Sequence, residues 1–176
     1  MKKIVAILLV LLLAVGLAAC NKEDAPDGMK NAAADNAKFF FYVPDNAWIV
    51  QNEISAAISR SADGSNVNVT TYLADDFYTA ESYWTNKAMP ELESTFKEFT
   101  LLSEQCAETT MGGIDGVRKV YTASLGGSTY QFMQIIVVKN GTASAMVYTL
   151  TYTAKTEHFA THLEDVEEMR VNFAFK

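Results

Sequence analysis

Apolar residues between positions 128 and 152 follow a two-residue rhythm on both parities. Tyr130, Phe132, Ile136 and Val138, with Gln134 among them, fall on one face of an extended chain, and Met133, Ile135 and Val137 fall on the other. A strand that is apolar on both faces belongs in the middle of a covered sheet. Lys139-Asn140-Gly141-Thr142 comes next, and predicts a two-residue Asn-Gly turn with positive φ angles. The chain then returns through Met146, Tyr148, Leu150 and Tyr152.

Upstream, order is predicted to begin at Phe39-Phe40-Phe41-Tyr42-Val43, to stop at Pro44-Asp45-Asn46 and to resume at Trp48. Ile54, Ala56 and Ile58 alternate with polar positions, Ala62-Asp63-Gly64-Ser65 turns, and Val67, Val69, Thr71 and Leu73 alternate back as a hairpin. Thr79 is placed to cap a helix in which Trp84, Ala88, Leu92 and Phe96 recur every four residues. Pro90 removes an N–H inside that pattern, which predicts a kink or a second helix starting near Met89. Strands are expected at about residues 99–108 and 116–125, separated by Met111-Gly112-Gly113-Ile114-Asp115, with Gly126-Gly127 turning into the central hairpin. Phe159, Leu163, Val166 and Met169 then recur at i, i+4, i+7 and i+10 of an amphipathic helix, and Val171-Asn172-Phe173-Ala174-Phe175 predicts a short closing strand. The fold class that follows is α+β, a largely antiparallel sheet covered by helices on both faces.

The N-terminus has a different character. Lys2 and Lys3 precede sixteen uncharged residues, 4–19, which end in Leu17-Ala18-Ala19-Cys20. Such a run reaches about 24 Å as a helix, short of the roughly 30 Å hydrocarbon core, and reads as a cleaved export signal. Small residues before Cys20 fit a peptidase cleft, and its thiol can take a lipid thioether, the pattern of a bacterial lipoprotein signal. The alternative is an ordinary secreted protein with Cys20 free or disulfide-bonded. On the lipoprotein reading, residues 1–19 are the signal peptide, 20–37 are the lipidated cysteine and a flexible polar tether, and 38–176 form a single domain. The protein is then lipid-anchored on the extracytoplasmic face of a bacterial cell membrane. The outer membrane is a possible destination in a host with two, because Asn21 does not resemble an inner-membrane retention signal.

Charge narrows the partners. The whole chain carries 14 basic and 21 acidic residues, so loss of Lys2 and Lys3 leaves 12 against 21, a net charge of −9. No basic cluster is present to meet phosphates, and nucleic acid is excluded as a partner. The same charge repels anionic headgroups, so attachment to the membrane falls to the lipid.

Several strings resemble the PsbP-like group, which includes the extrinsic photosystem II protein of that name, the Ran-binding Mog proteins and many bacterial lipoproteins. They are Phe41-Tyr42-Val43-Pro44 with Trp48, Phe99-Thr100-Leu101-Leu102, Gly112-Gly113-Ile114-Asp115-Gly116-Val117-Arg118, Val138-Lys139-Asn140-Gly141, and the last helix leading to Phe173. The resemblance covers about residues 39–175. It implies an α-β-α sandwich of the Mog/PsbP-like kind and an accessory or binding role rather than an enzymatic one.

Candidate chemistry is sparse. His158 and His162, the two histidines, stand at i, i+4 with Asp165 at i+7, which on an α-helix forms one stripe and suggests a two-histidine, one-carboxylate metal site. The stripe also borders the apolar face, where amphipathic side chains are common. Cys106 is expected to share a strand face with Glu104 and Glu108, whose charges disfavour a thiolate nucleophile. No nucleophile elbow or phosphate loop is present. Asp75-Asp76 and Glu167-Glu168 lack calcium-loop spacing and read as solvated surface. Phe77, Tyr78 and Tyr83 are the candidate partner-binding residues, because Tyr83 lies about 100° around the helix from Trp84 and away from Leu92 and Phe96. The alternative is that Phe77 and Tyr78 staple the helix to the sheet. The function expected is therefore a membrane-anchored, non-catalytic binding or accessory module for a protein or cell-envelope partner, with no cofactor besides the lipid on Cys20. The alternative function is a metal-binding lipoprotein using His158, His162 and Asp165.

Overall fold

A computed structural model describes residues 24–74, 77–142 and 144–176. The export signal expected over residues 1–19, Cys20, and Asp75-Asp76 lie outside the described residues. Eight antiparallel strands form one sheet in the order β4-β5-β6-β11-β10-β9-β7, with β8 also pairing with β9. They are β4 (Trp48–Gln51), β5 (Ala56–Ser59), β6 (Asn66–Ala74), β7 (Lys97–Leu101), β8 (Ala107–Met111), β9 (Ile114–Leu125), β10 (Ser128–Asn140) and β11 (Ala145–Lys155). As the doubly apolar pattern requires, β10 is central, flanked by β9 and β11. Two-residue turns at Gly112-Gly113 and Gly126-Gly127 use positive φ angles of 59°, 75°, 60° and 83°, the left-handed geometry that matches strand twist.

The turn predicted at Asn140-Gly141 is a correction. Asn140 pairs with Ala145, so four residues close the hairpin; Gly141 N–H donates to Ser144 O at 2.8 Å, and neither Asn140 nor Gly141 is left-handed. The strand predicted over 99–108 is also broken. A 3-10 turn at Ser103–Gln105 separates β7 from β8, each pairing with β9 on its own register. Glu104 therefore lies in the turn rather than on a strand face with Cys106, whose Sγ sits 3.5 Å from Leu102 O.

One sheet face packs on the second helical region, where Thr156–His162 is 3-10 and Leu163–Val171 is the α-helix. Met133, Ile135 and Val137 of β10 meet Phe159, Val166 and Met169 there, whereas Leu163 is 37% exposed. The other face meets the first helix, α1, made of Ala80–Tyr83, a π-turn at Trp84–Ala88 and Met89–Thr95. Thr79 caps it as predicted, accepting from Ser82 N–H at 3.0 Å while its own N–H donates to Ser82 Oγ. The irregularity expected near Pro90 takes the form of the π-turn, which closes with Met89 N–H donating to Trp84 O just before the residue that has no N–H. Trp84, 2% exposed, packs on Val117, Tyr121, Phe132 and Ile136.

The tether expected over 20–37 ends sooner than its composition suggests. Met29–Asn31 forms β1 and pairs with β3 (Tyr42–Pro44), and Ala32 and Ala33 are buried. Asn31 Oδ1 accepts from the N–H groups of Ala33 and Phe41, and Ser55 Oγ accepts from Ala34 N–H at 2.9 Å. Small alanines fit this space where larger apolar residues would not, so the segment is ordered without a hydrophobic signature. The C-terminal strand β12 (Ala174–Phe175) pairs with β2 (Phe39–Phe40) as a separate two-stranded sheet rather than closing the main one.

Candidate functional site

Two places gather polar or aromatic side chains. The first is a buried junction. His162 Nε2 is 2.8 Å from Asp63 Oδ2 and within 3.4 Å of the Ser59 and Ser61 hydroxyls, while its Nδ1 is 3.7 Å from Asp165 Oδ2. Trp48 Nε1–H donates to the same Asp165 oxygen at 2.8 Å, with its ring edge-on to the imidazole at 5.3 Å. Burial alone would raise the Asp63 carboxyl, but hydrogen bonds from His162, the Ser65 backbone and Ser61 outweigh it and hold that carboxyl well below the usual range. Tyr152 donates to Phe159 O at 2.9 Å, and burial pushes its hydroxyl up to about 12. These bonds tie β4, the β5–β6 turn and the last helix together.

The second place is the end of β6 and the start of α1. Tyr83 stands 6.0 Å from the Tyr72 ring and 5.8 Å from the Tyr78 ring, centroid to centroid. Burial, with Glu91 nearby, raises its hydroxyl above the ordinary tyrosine value. Phe77, the residue before Tyr78, is 60% exposed, and Leu73 is 58% exposed on the strand before it. Asn140 Nδ2–H donates to Tyr78 O at 3.3 Å and ties the aromatic loop to the end of β10.

A cleft of about 690 Å³ lies between the start of α1 and β8–β9 and includes Glu81, Glu108, Asp115 and Arg170. Arg170 spends its guanidinium on Glu167 and Thr110, and Glu81 pairs with Lys119 at 2.7 Å. Among the described residues, no hydrogen bond or ion pair joins two titratable side chains that line this cleft.

Comparison with solved structures supplies the frame. The chain superposes on LpqN of Mycobacterium tuberculosis, which is involved in cell envelope biogenesis, with a TM-score of 0.57 at 15% identity, covering 86% of this chain and 80% of that one. It superposes on the yeast (Saccharomyces cerevisiae) Ran-binding protein Mog1p with a TM-score of 0.56 at 11% identity, covering 84% and 95%. Cyanobacterial PsbP from Synechocystis gives a TM-score of 0.54 at 12% identity, covering 92% and 99%. The fold is Mog/PsbP-like. No family model matches the chain, and no curated protein sequence matches it.

Within the Mog/PsbP-like frame, the strings that carry the resemblance are packing elements. Phe41, Val43 and Trp48 are fully buried, and Gly112 leaves room for the Phe175 ring, which would lie 2.6 Å from a Cβ at that position. Of the residues expected to form a metal stripe, the structure brings together His162 and Asp165 but not His158. The cause is the 3-10 turn: at three residues per turn, i and i+4 lie about 120° apart rather than on one stripe. Among the described residues, no group of three or more His, Cys, Asp or Glu side chains is arranged to hold a metal ion. Of the three expected partner-binding residues, Tyr78 and Tyr83 meet ring to ring, Tyr83 is half-buried against Tyr72 and α1, and Phe77 is exposed. Sequence reasoning missed Asp63, which reads as an ordinary turn residue because its partner is 99 positions away. It also passed over Tyr72, whose period-two neighbours signalled only a strand. No helix among the described residues is long and apolar enough to cross a membrane.

Proposed function

We propose that this protein is a non-catalytic binding or accessory module, held by a lipid on Cys20 at the extracytoplasmic face of a bacterial membrane, that recognises a protein or cell-envelope partner. The observation that carries the reading is the aromatic surface at the head of α1. Tyr72, Tyr83 and Tyr78 hold one another ring to ring, and Phe77, the residue before Tyr78, is exposed, so aromatic area is presented at small side-chain entropy cost. Two proteins of the same fold support it in kind, since LpqN is involved in cell envelope biogenesis and Mog1p binds Ran. The anchor is supported by Leu17-Ala18-Ala19-Cys20 and the uncharged run before it. Tethering raises local concentration, so a weak contact suffices. Affinity recovery after crosslinking in intact cells tests the reading. A reproducible partner that is lost with Phe77→Ser and Tyr78→Ala supports it, and failure to recover any partner from wild type removes it.

A further inference from the structure

The helix α1 packs against β9, β10 and β7 and reaches Val147 of β11 and, through Tyr83, Tyr72 of β6. Farther along the same face, Thr70 is exposed and Asn66, Asn68, Thr149, Thr151 and Thr153 are half-buried. Strand register identifies what this part of the face presents. Thr70 pairs with Thr149, Asn68 with Thr151 and Asn66 with Thr153, and Gln134 continues the second row on β10, where it pairs with Thr151. Cross-strand partners share a face, so these hydroxyl and amide side chains form one stripe. A groove of about 250 Å³ runs along the junction with the helix, floored by Thr70, Thr149 and Gln134 and walled by Tyr83, Glu91 and Leu92.

Three features of this groove point to one class of ligand. The stripe is uncharged on a chain that is one-fifth charged residues, and the charges beside it are already paired, Glu91 with Lys87 at 2.9 Å and Lys119 with Glu81 at 2.7 Å. Apart from Asn66, whose Nδ2–H donates to Gly64 O at 3.4 Å, its hydrogen-bonding capacity is unspent. Among the described residues, no side chain of Thr70, Thr149, Thr151, Thr153 or Gln134 is hydrogen-bonded within the protein, and Asn68 Oδ1 is shielded from water without a donor. No bond therefore holds the Asn68 amide against turning toward a ligand. Finally, the wall is aromatic, with Tyr83 and Tyr72 ring against ring at one end of the stripe.

We infer that this groove binds a neutral oligosaccharide. Sugar hydroxyls both donate and accept, as threonine hydroxyls and carboxamides do, and the C–H face of a pyranose stacks on tyrosine. An anionic or cationic polymer finds no unpaired counter-charge, and an acyl chain would strand the polar floor. An extended peptide adds to a sheet at an edge rather than a face. At the β4 edge, Lys30 Nζ already donates to Trp48 O at 2.7 Å. The inference leans on the envelope location proposed above only for where such a glycan is met.

Amide chemical-shift mapping on the full chain tests it, with chitotetraose and maltotetraose as neutral probes and tetragalacturonate as the anionic one. At least one neutral probe is expected to give saturable shifts at Asn68, Thr149 and Thr151 with a Kd of about 1 mM or tighter. The double variant Thr149→Val/Thr151→Val keeps shape and strand preference. It is expected to bind about tenfold more weakly with an unchanged melting temperature. Phe77→Ser is expected to bind sugar as wild type does, which separates this groove from the partner surface: loss of the partner reading leaves the groove standing, and the reverse. Absence of saturable shifts with both neutral probes, equal binding of tetragalacturonate, or equal affinity in the double valine variant each overturns the inference.

Discussion

His162 Nε2 sits 2.8 Å from the Asp63 carboxylate across 99 positions of sequence, and both side chains are 9% exposed. The pair locks the last helix onto the β5–β6 turn, so loss of one partner leaves the other buried with its bonds unmade. Asp63→Asn is expected to lower stability by about 3 kcal/mol, measured by urea unfolding at neutral pH.

The same pair sets an acid limb. Because Asp63 is held below the ordinary aspartate range in the fold, the unfolded chain binds the proton more readily. Its contribution is complete above about pH 4 and is lost as pH falls below that value. Melting temperature followed between pH 7 and pH 2 should fall more steeply for wild type than for Asp63→Asn, with the two curves converging at the acid end. Parallel curves would show that the pair carries no such linkage.

A chain begun at residue 38 is expected to be destabilised rather than merely shortened. It loses the burial of Met29, Ala32 and Ala33, the β1–β3 pairing and the bonds to Asn31 and Ser55. A loss of about 3 kcal/mol relative to a chain begun at residue 24 follows from that buried area. Thermal unfolding of the two chains checks it, and equal melting temperatures would mean that the segment is not docked.

Where the sequence was legible, a strict period carried the information. The alternation through β10, β11 and β6 located three neighbouring strands, and Thr79 located the start of α1. Where it was not, several solutions shared one pattern. Phe159, Leu163, Val166 and Met169 satisfy an α-helical repeat, yet the 3-10 turn over Thr156–His162 rotates His158 away from His162. One methionine and two small alanines, Met29, Ala32 and Ala33, are too few to register as a core segment, although all three are buried. In the junction of Asp63, His162, Asp165 and Trp48 the His162–Asp165 step is local, whereas Asp63 and Trp48 reach it across 99 and 117 positions, which no local period encodes.

Gly116 marks a close approach that its neighbours enforce. A Cβ there would lie 2.2 Å from Ile136 O and 2.6 Å from Val137 Cγ1, at the end of the β9–β10 pairing, where Gly116 faces Val137. Gly116→Ala is expected to cost about 1–3 kcal/mol by overpacking, read as a lowered urea midpoint. An unchanged midpoint would mean that the two strands separate freely at this point.

Fatty-acid labelling in cells addresses the anchor: label incorporated by wild type and lost in Cys20→Ser is the expected result, and label that survives the substitution would remove the lipid from the account.

The binding-module claim is tested most directly by a photo-crosslinking amino acid placed singly at position 77 or at position 54 in intact cells. Phe77 and Ile54 are similarly exposed, at 60% and 65%, but Phe77 directly precedes Tyr78 of the tyrosine cluster in sequence and Ile54 does not. The account predicts a discrete, reproducible adduct from position 77 and none from position 54. No adduct at position 77, or the same adduct from both positions, would contradict it.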